Sequence, residues 1–204
     1  MKAHRLAGPH AFRLLVGIVT LLAVFAAGRT SWADSEEFRW DIINVDFATS
    51  TLSSGGVASA KAVDGSTITL TGSGAFDTDH AKHVSGGGTW TTESSSGAQT
   101  GTGTYEVTRL VSFIVAPGTS RVMHDNIGIL ADQRAGLAVL QIEYNDESRG
   151  VLIVSCDLVG TPGPVVEGIT ASKDFIDYYV AQTSKPPVNT NHTNFHVLDD
   201  DHGD

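Results

Sequence analysis

The residue types most able to do chemistry are concentrated in one short run, Asp77-Thr78-Asp79-His80-Ala81-Lys82-His83. Two carboxylates and two imidazoles fall within seven residues, and neutral imidazole with carboxylate is a donor set for zinc and other transition ions. The run lies on an expected hairpin loop, with Asp79, His80 and His83 as the expected ligands. Against a site, loop tips gather polar residues for solvation, and Lys82 stands between the histidines. A second polar group, His192, His196, Asp199, Asp200, Asp201 and His202, lies in a run whose composition reads as disordered and so prearranges no ligand set. Asp199-x-Asp201 does not extend into a calcium loop, because Gly203 fills the fifth position.

Arg109 shares parity with Tyr105, Val107, Val111 and Phe113 on the longest strand signal. Unbroken alternation would aim its guanidinium at the apolar side, where an unpaired charge is too costly to persist. It is expected to reach a carboxylate such as Glu106, to sit at a wet mouth, or to be turned outward by a bulge. The remaining expectation makes Arg109 the anchor of an anionic ligand, with Trp90 and Tyr105 completing the ligand-binding set. Cys156 is the only cysteine, so no intrachain disulfide can form, and its apolar setting reads as a small buried thiol. No G-x-S-x-G, helix-opening G-x-G-x-x-G or G-x-x-x-x-G-K-[ST] occurs. The nucleophile-elbow and phosphate-cradling signals are therefore missing.

The elements that must position these residues read mainly as strands. Ile43, Val45 and Phe47 alternate with Asn44 and Asp46, Ile68 and Leu70 alternate with threonines, and Thr102–Val115 alternates longest. Leu137–Tyr144 and Val151–Leu158 flank the polar loop Asn145–Gly150 and read as a hairpin. Val151–Val154 is apolar on both parities, so its outer side needs a cover. Ala171–Ala181 has helical spacing, with Phe175, Ile176, Tyr179 and Val180 in one stripe and Lys173, Asp174 and Asp177 opposite. Thr170 or Ser172 could cap it. The expected fold is all-β: an antiparallel meander curled into a barrel or sandwich, with this one C-terminal helix packed on it.

An internal repeat supports curvature. Gly72-Ser-Gly-Ala-Phe76, Gly86-Gly-Gly-Thr-Trp90 and Gly101-Thr-Gly-Thr-Tyr105 all read G-x-G-[AT]-aromatic. Each unit puts two glycines and a ring on one strand face. A ring there can lie across a neighbouring strand's bare glycine, and strand glycines relieve bending as a sheet curls.

Met1–Ala33 has the layout of a secretory signal peptide: Lys2, Arg5 and Arg13, the uncharged run Leu14–Ala27, then Ser31-Trp32-Ala33 before Asp34. The organisation expected is 1–33 signal peptide, 34–181 a single β domain with its helix, and 182–204 a disordered acidic tail. The 14-residue apolar run is short of the roughly 20 that a spanning helix needs, so no membrane span is expected after cleavage. The expected location is periplasmic or extracellular, in a bacterium. Removing the leader leaves nine basic against 23 acidic residues, a net charge of −14, which offers no footprint for nucleic acid or anionic lipid. No cofactor is implied, and oligomeric state is left open.

A small exported meander with a C-terminal helix resembles the lipocalin-type layout over about residues 38–181, a barrel that can hold one small molecule. The resemblance is architectural: Gly88-Thr89-Trp90 stands far from the first strand, where that family carries its G-x-W. It implies a small apolar or amphipathic ligand as partner. Two other functions stay open: an enzyme using the barrel as a pocket, with Arg109, Glu106 or the His80/His83 cluster, and an envelope or surface interaction module. A barrel packed solid would leave only the surface.

Overall fold

Alternating apolar residues drive the chain into strands, and the longest strands close on one another. The computed structural model describes residues 36–122, 124–182 and 191–198; the expected leader and Asp199–Asp204 lie outside them. The strands are β1 (Glu37–Asp46), β2 (Thr51–Ser53), β3 (Ala58–Lys61), β4 (Thr67–Leu70), β5 (Ser73–Asp77), β6 (Val84–Glu93) and β7 (Gln99–Ala116). They continue as β8 (His124–Asp125), β9 (Gln133–Tyr144), β10 (Arg149–Cys156), β11 (Gly168–Lys173), β12 (Ile176–Tyr178), β13 (Val180–Ala181) and β14 (His192–Leu198).

Six of these form a closed antiparallel barrel in the order β1, β5, β6, β7, β9, β14 and back to β1. Two flanking sheets extend it, β4–β3–β13 from β6 and β10–β11–β12 from β9. Phe38, Phe76, Phe113 and Phe195 meet inside the barrel with neighbouring ring centroids 4.6–6.3 Å apart. The interior there is filled by side chains, as small barrels generally are.

The repeat works through its glycines. Phe76, Trp90 and Tyr105 are all buried in one core. A Cβ at Gly101 would stand 2.8 Å from Trp90 Cζ3, and one at Gly74 would stand 2.8 Å from Trp40 Nε1. Each indole thus occupies the space a side chain on the neighbouring strand would need. Trp90 Nε1 donates to Asn145 Oδ1 at 3.0 Å and Tyr105 OH donates to Thr71 O at 2.8 Å, so both rings are buried with their polar ends satisfied.

The expected C-terminal helix is not formed; among the described residues there is no α-helix, and none long and apolar enough to cross a membrane. Ala171–Ala181 instead runs through β11, a turn, β12 and β13. The helical stripe is misleading because Phe175, Ile176, Tyr179 and Val180 are exposed, whereas Ile169, Ala171 and Tyr178 are buried. The open backbone edge of β10 selects a strand: β11 pairs with it from Leu152↔Ala171 to Ser155↔Gly168. Asp174 takes a left-handed φ of 53° at the hairpin turn, a conformation Asp tolerates better than most residues.

The tail also departs from expectation. His192–Leu198 is not disordered but supplies the barrel strand β14, in register with β1 from Glu37↔Leu198 to Ile43↔His192. Its alternation is concealed because the outward-facing Asn194 and His196 are polar and nevertheless buried.

Candidate functional site

The outer side of the β1–β14 wall is covered rather than solvated. Trp40 and Phe195 pair on the inner face, so Arg39 and Asp41 of β1, with Asn194 and His196 of β14, face outward. The connector from β7 to β9 folds over them through Val122, Asp125 and Gln133. Ile43, Val45, Leu52 and Val122 form a second, smaller apolar cluster beside this polar layer.

Most of the polar layer is hydrogen-bonded, although Gln133 Oε1 and His196 Nδ1 are left without a partner. Arg39 clamps Asp41 through Nε at 2.7 Å and Nη2 at 2.8 Å. Burial pushes the Asp41 carboxyl up, and the Arg39 hydrogen bonds offset this only in part. Asp125 Oδ2 meets His196 Nε2 at 2.6 Å and accepts from Gln133 Nε2 at 2.5 Å, while Oδ1 accepts from the N–H groups of Ile127 and Gly128. Burial raises the Asp125 carboxyl too, but these hydrogen bonds outweigh it and hold the carboxyl below the usual range. Glu167 ties the layer to β10, accepting from Thr193 N at 2.6 Å and Asp157 N at 2.5 Å.

Between the polar layer and the small apolar cluster lies a pocket of about 150 Å³. Val45, Leu52, Val122 and Leu158 provide its apolar lining, Gln133, Asn194 and His192 its polar lining, and exposed Arg121 stands at its rim. A carboxylate only accepts, so the Gln133 amide must turn Nε2 to Asp125 and leave Oε1 over. Gln133 Oε1 and His192 Nε2 are buried and have no hydrogen-bond partner. Trp40 Nε1, Ser155 Oγ and His196 Nδ1 share this condition, and each unpartnered buried polar atom costs about 1–3 kcal/mol. Sequence reasoning misses this site because Gln133, Asn194 and His192 carry no motif spacing; the only signal is the density of polar residues in a run whose composition reads as disordered.

The sequence-derived residues are placed elsewhere. Arg109 does not point inward: β7 bulges between Val107 and Arg109 and again between Leu110 and Ser112. The first bulge switches parity, so Leu110 is buried and Arg109 is exposed; the second restores parity, and Phe113 returns to the core. Trp90 and Tyr105 belong to the packed core. The three do not converge on an interior cavity. Cys156 is buried, and burial pushes its thiol up. On the β5–β6 loop, His80 and His83 do come together, with Asp77 rather than Asp79 as their carboxylate: His80 Nδ1 is 2.8 Å and His83 Nδ1 3.8 Å from Asp77 Oδ2. Asp79 is exposed and engages Asp77 through its backbone N–H.

Fold and site together define a closed six-stranded β-barrel with a small lateral pocket. Comparison with protein families, curated proteins and solved structures finds no match to this chain.

Proposed function

We propose that this chain is an exported β-barrel protein that binds one small amphipathic molecule, in the lateral pocket rather than in the barrel interior. The observation that carries this reading is Gln133, which lines the pocket beside Val45, Leu52 and Val122 and whose Oε1 is buried without a partner. A few convergent polar groups in an otherwise apolar concavity are what small-molecule sites offer. The volume is close to that of a cavity that admits benzene, so the ligand has an apolar body of about one ring and a hydrogen-bond donor for Gln133. The phenylalanine-filled barrel argues against a ligand at Arg109, Trp90 and Tyr105. Export rests on the layout of the first 33 residues, and the acidity of residues 34–204 suits a solvent-exposed life outside the cytoplasm.

Native mass spectrometry of protein recovered from its own compartment tests the reading. It is expected to show an added small mass, lost when Leu52→Trp fills the pocket. A wild-type mass equal to that of the bare chain at every collision energy would count against a retained ligand.

A further inference from the structure

We infer that Asp77, His80 and His83 form a binding site for a divalent late transition-metal ion, zinc or copper, on the β5–β6 loop. The site is independent of the lateral pocket and stands or falls separately from it. One ligand atom from each of the three residues lies within 4.8 Å of the others. The two imidazole rings stack with centroids 4.8 Å apart and planes 20° apart, and both turn Nδ1 toward the same carboxylate oxygen. His80 Nδ1 is within hydrogen-bond distance of this oxygen, while His83 Nδ1 stands off at 3.8 Å; one ion drawing on all three donors would close that gap.

The backbone holds the three residues in this relation. Asp77 Oδ1 accepts from the N–H groups of Asp79 and His80, and Oδ2 meets His80 Nδ1 at 2.8 Å. His83 N donates to His80 O at 2.7 Å and Asp77 N donates to His83 O at 3.0 Å, so the ends of the loop are fixed. Its middle is tethered as well, because Leu110 N on the bulged stretch of β7 donates to Ala81 O at 2.8 Å. With bonds of about 2.0–2.2 Å, a tetrahedral ion separates its donors by roughly 3.4 Å. The two histidines are exposed, so modest side-chain rotation closes the set without moving the backbone.

Donor chemistry selects the ion. Two imidazoles and one carboxylate suit zinc or copper, whereas calcium and magnesium ask for six or more oxygens. Three protein ligands leave a fourth position to water, which makes the ion exchangeable rather than structural. Imidazole must be neutral to ligate, so uptake weakens on acidification.

The test is zinc titration of the untagged protein against a chromophoric chelator, with long-range 1H–15N spectra of the imidazoles. One ion per chain is expected, with the Nδ1 resonances of both His80 and His83 moving. His80→Ala, His83→Ala and Asp77→Asn should each weaken binding by more than about tenfold, the loss that even an outer-shell substitution brings. His202→Ala should change nothing. Absence of uptake, or uptake that survives all three loop substitutions, overturns the assignment; a far-ultraviolet melt of each variant shows that the barrel is intact.

Discussion

His196 Nε2 lies 2.6 Å from Asp125 Oδ2, and both side chains are only 2% exposed. This contact fastens the β7–β9 connector to the strand that closes the barrel, across 71 residues of sequence. His196→Ala leaves the buried Asp125 carboxylate with Gln133 as its side-chain partner, and breaking a buried pair from one side costs about 3–5 kcal/mol. The expected loss is near the lower end, because the N–H groups of Ile127 and Gly128 still donate to Asp125. Urea denaturation followed by tryptophan fluorescence measures it; a loss under about 1 kcal/mol, the scale of an exposed pair, would mean the contact is not held in the folded protein.

The same carboxylate gives the protein an acid limit. The folded Asp125 carboxyl titrates below its ordinary value, so the folded state binds fewer protons than the unfolded one between the two values. Its stabilisation is complete above the unfolded value of about 3.9 and is lost as pH falls through the folded one. Asp41 acts in the opposite sense: its raised folded value means stability falls as pH rises from about 3.9 through that value. Asp125→Asn should therefore flatten the fall in urea midpoint below about pH 4, and Asp41→Asn should not. An unchanged acid limb in Asp125→Asn would contradict this assignment.

The ring-over-glycine packing predicts coupling between Gly101 and Trp90. Gly101→Val puts a side chain where Trp90 Cζ3 and Cη2 stand, 2.8 and 2.9 Å from a Cβ, and overpacking of this kind costs about 1–3 kcal/mol. Trp90→Ala alone should cost about 3–5 kcal/mol. In the double variant the valine occupies part of the vacated space, so the combined loss should fall short of the sum by more than about 0.5 kcal/mol. Strict additivity in thermal melts would show that the two positions do not share the space.

What is legible in the sequence depends on where the forces act. The long strand around Tyr105, the Asn145–Gly150 hairpin and the glycine–aromatic repeat are local patterns, and the structure contains them. Barrel closure is not local: it depends on Trp40 pairing with Phe195. The strand at Ala171 reads as helix because its decisive partner, the free edge of β10, is invisible in a periodicity. Arg109 escapes burial through a one-residue bulge, which alternation alone allows but does not locate. The pocket is hidden for a related reason, since Asn194 and His196 look solvated until Asp125 and Gln133 cover them. On the loop, spacing finds the histidines but favours the adjacent Asp79 over Asp77, whose turn-forming hydrogen bonds place it beneath them.

The lateral pocket itself is tested most directly by titrating the 15N-labelled protein with benzyl alcohol, a single ring carrying one hydroxyl donor. Shifts in 1H–15N spectra should be confined to Val45, Leu52, Val122, the Gln133 side-chain amide and Asn194, and should saturate at one site. They should vanish in Leu52→Trp and weaken in Gln133→Met, which keeps the bulk but removes the acceptor. Shifts scattered over the barrel surface, or equal in wild type and Leu52→Trp, would contradict a binding site between β1, β14 and the connector that covers them.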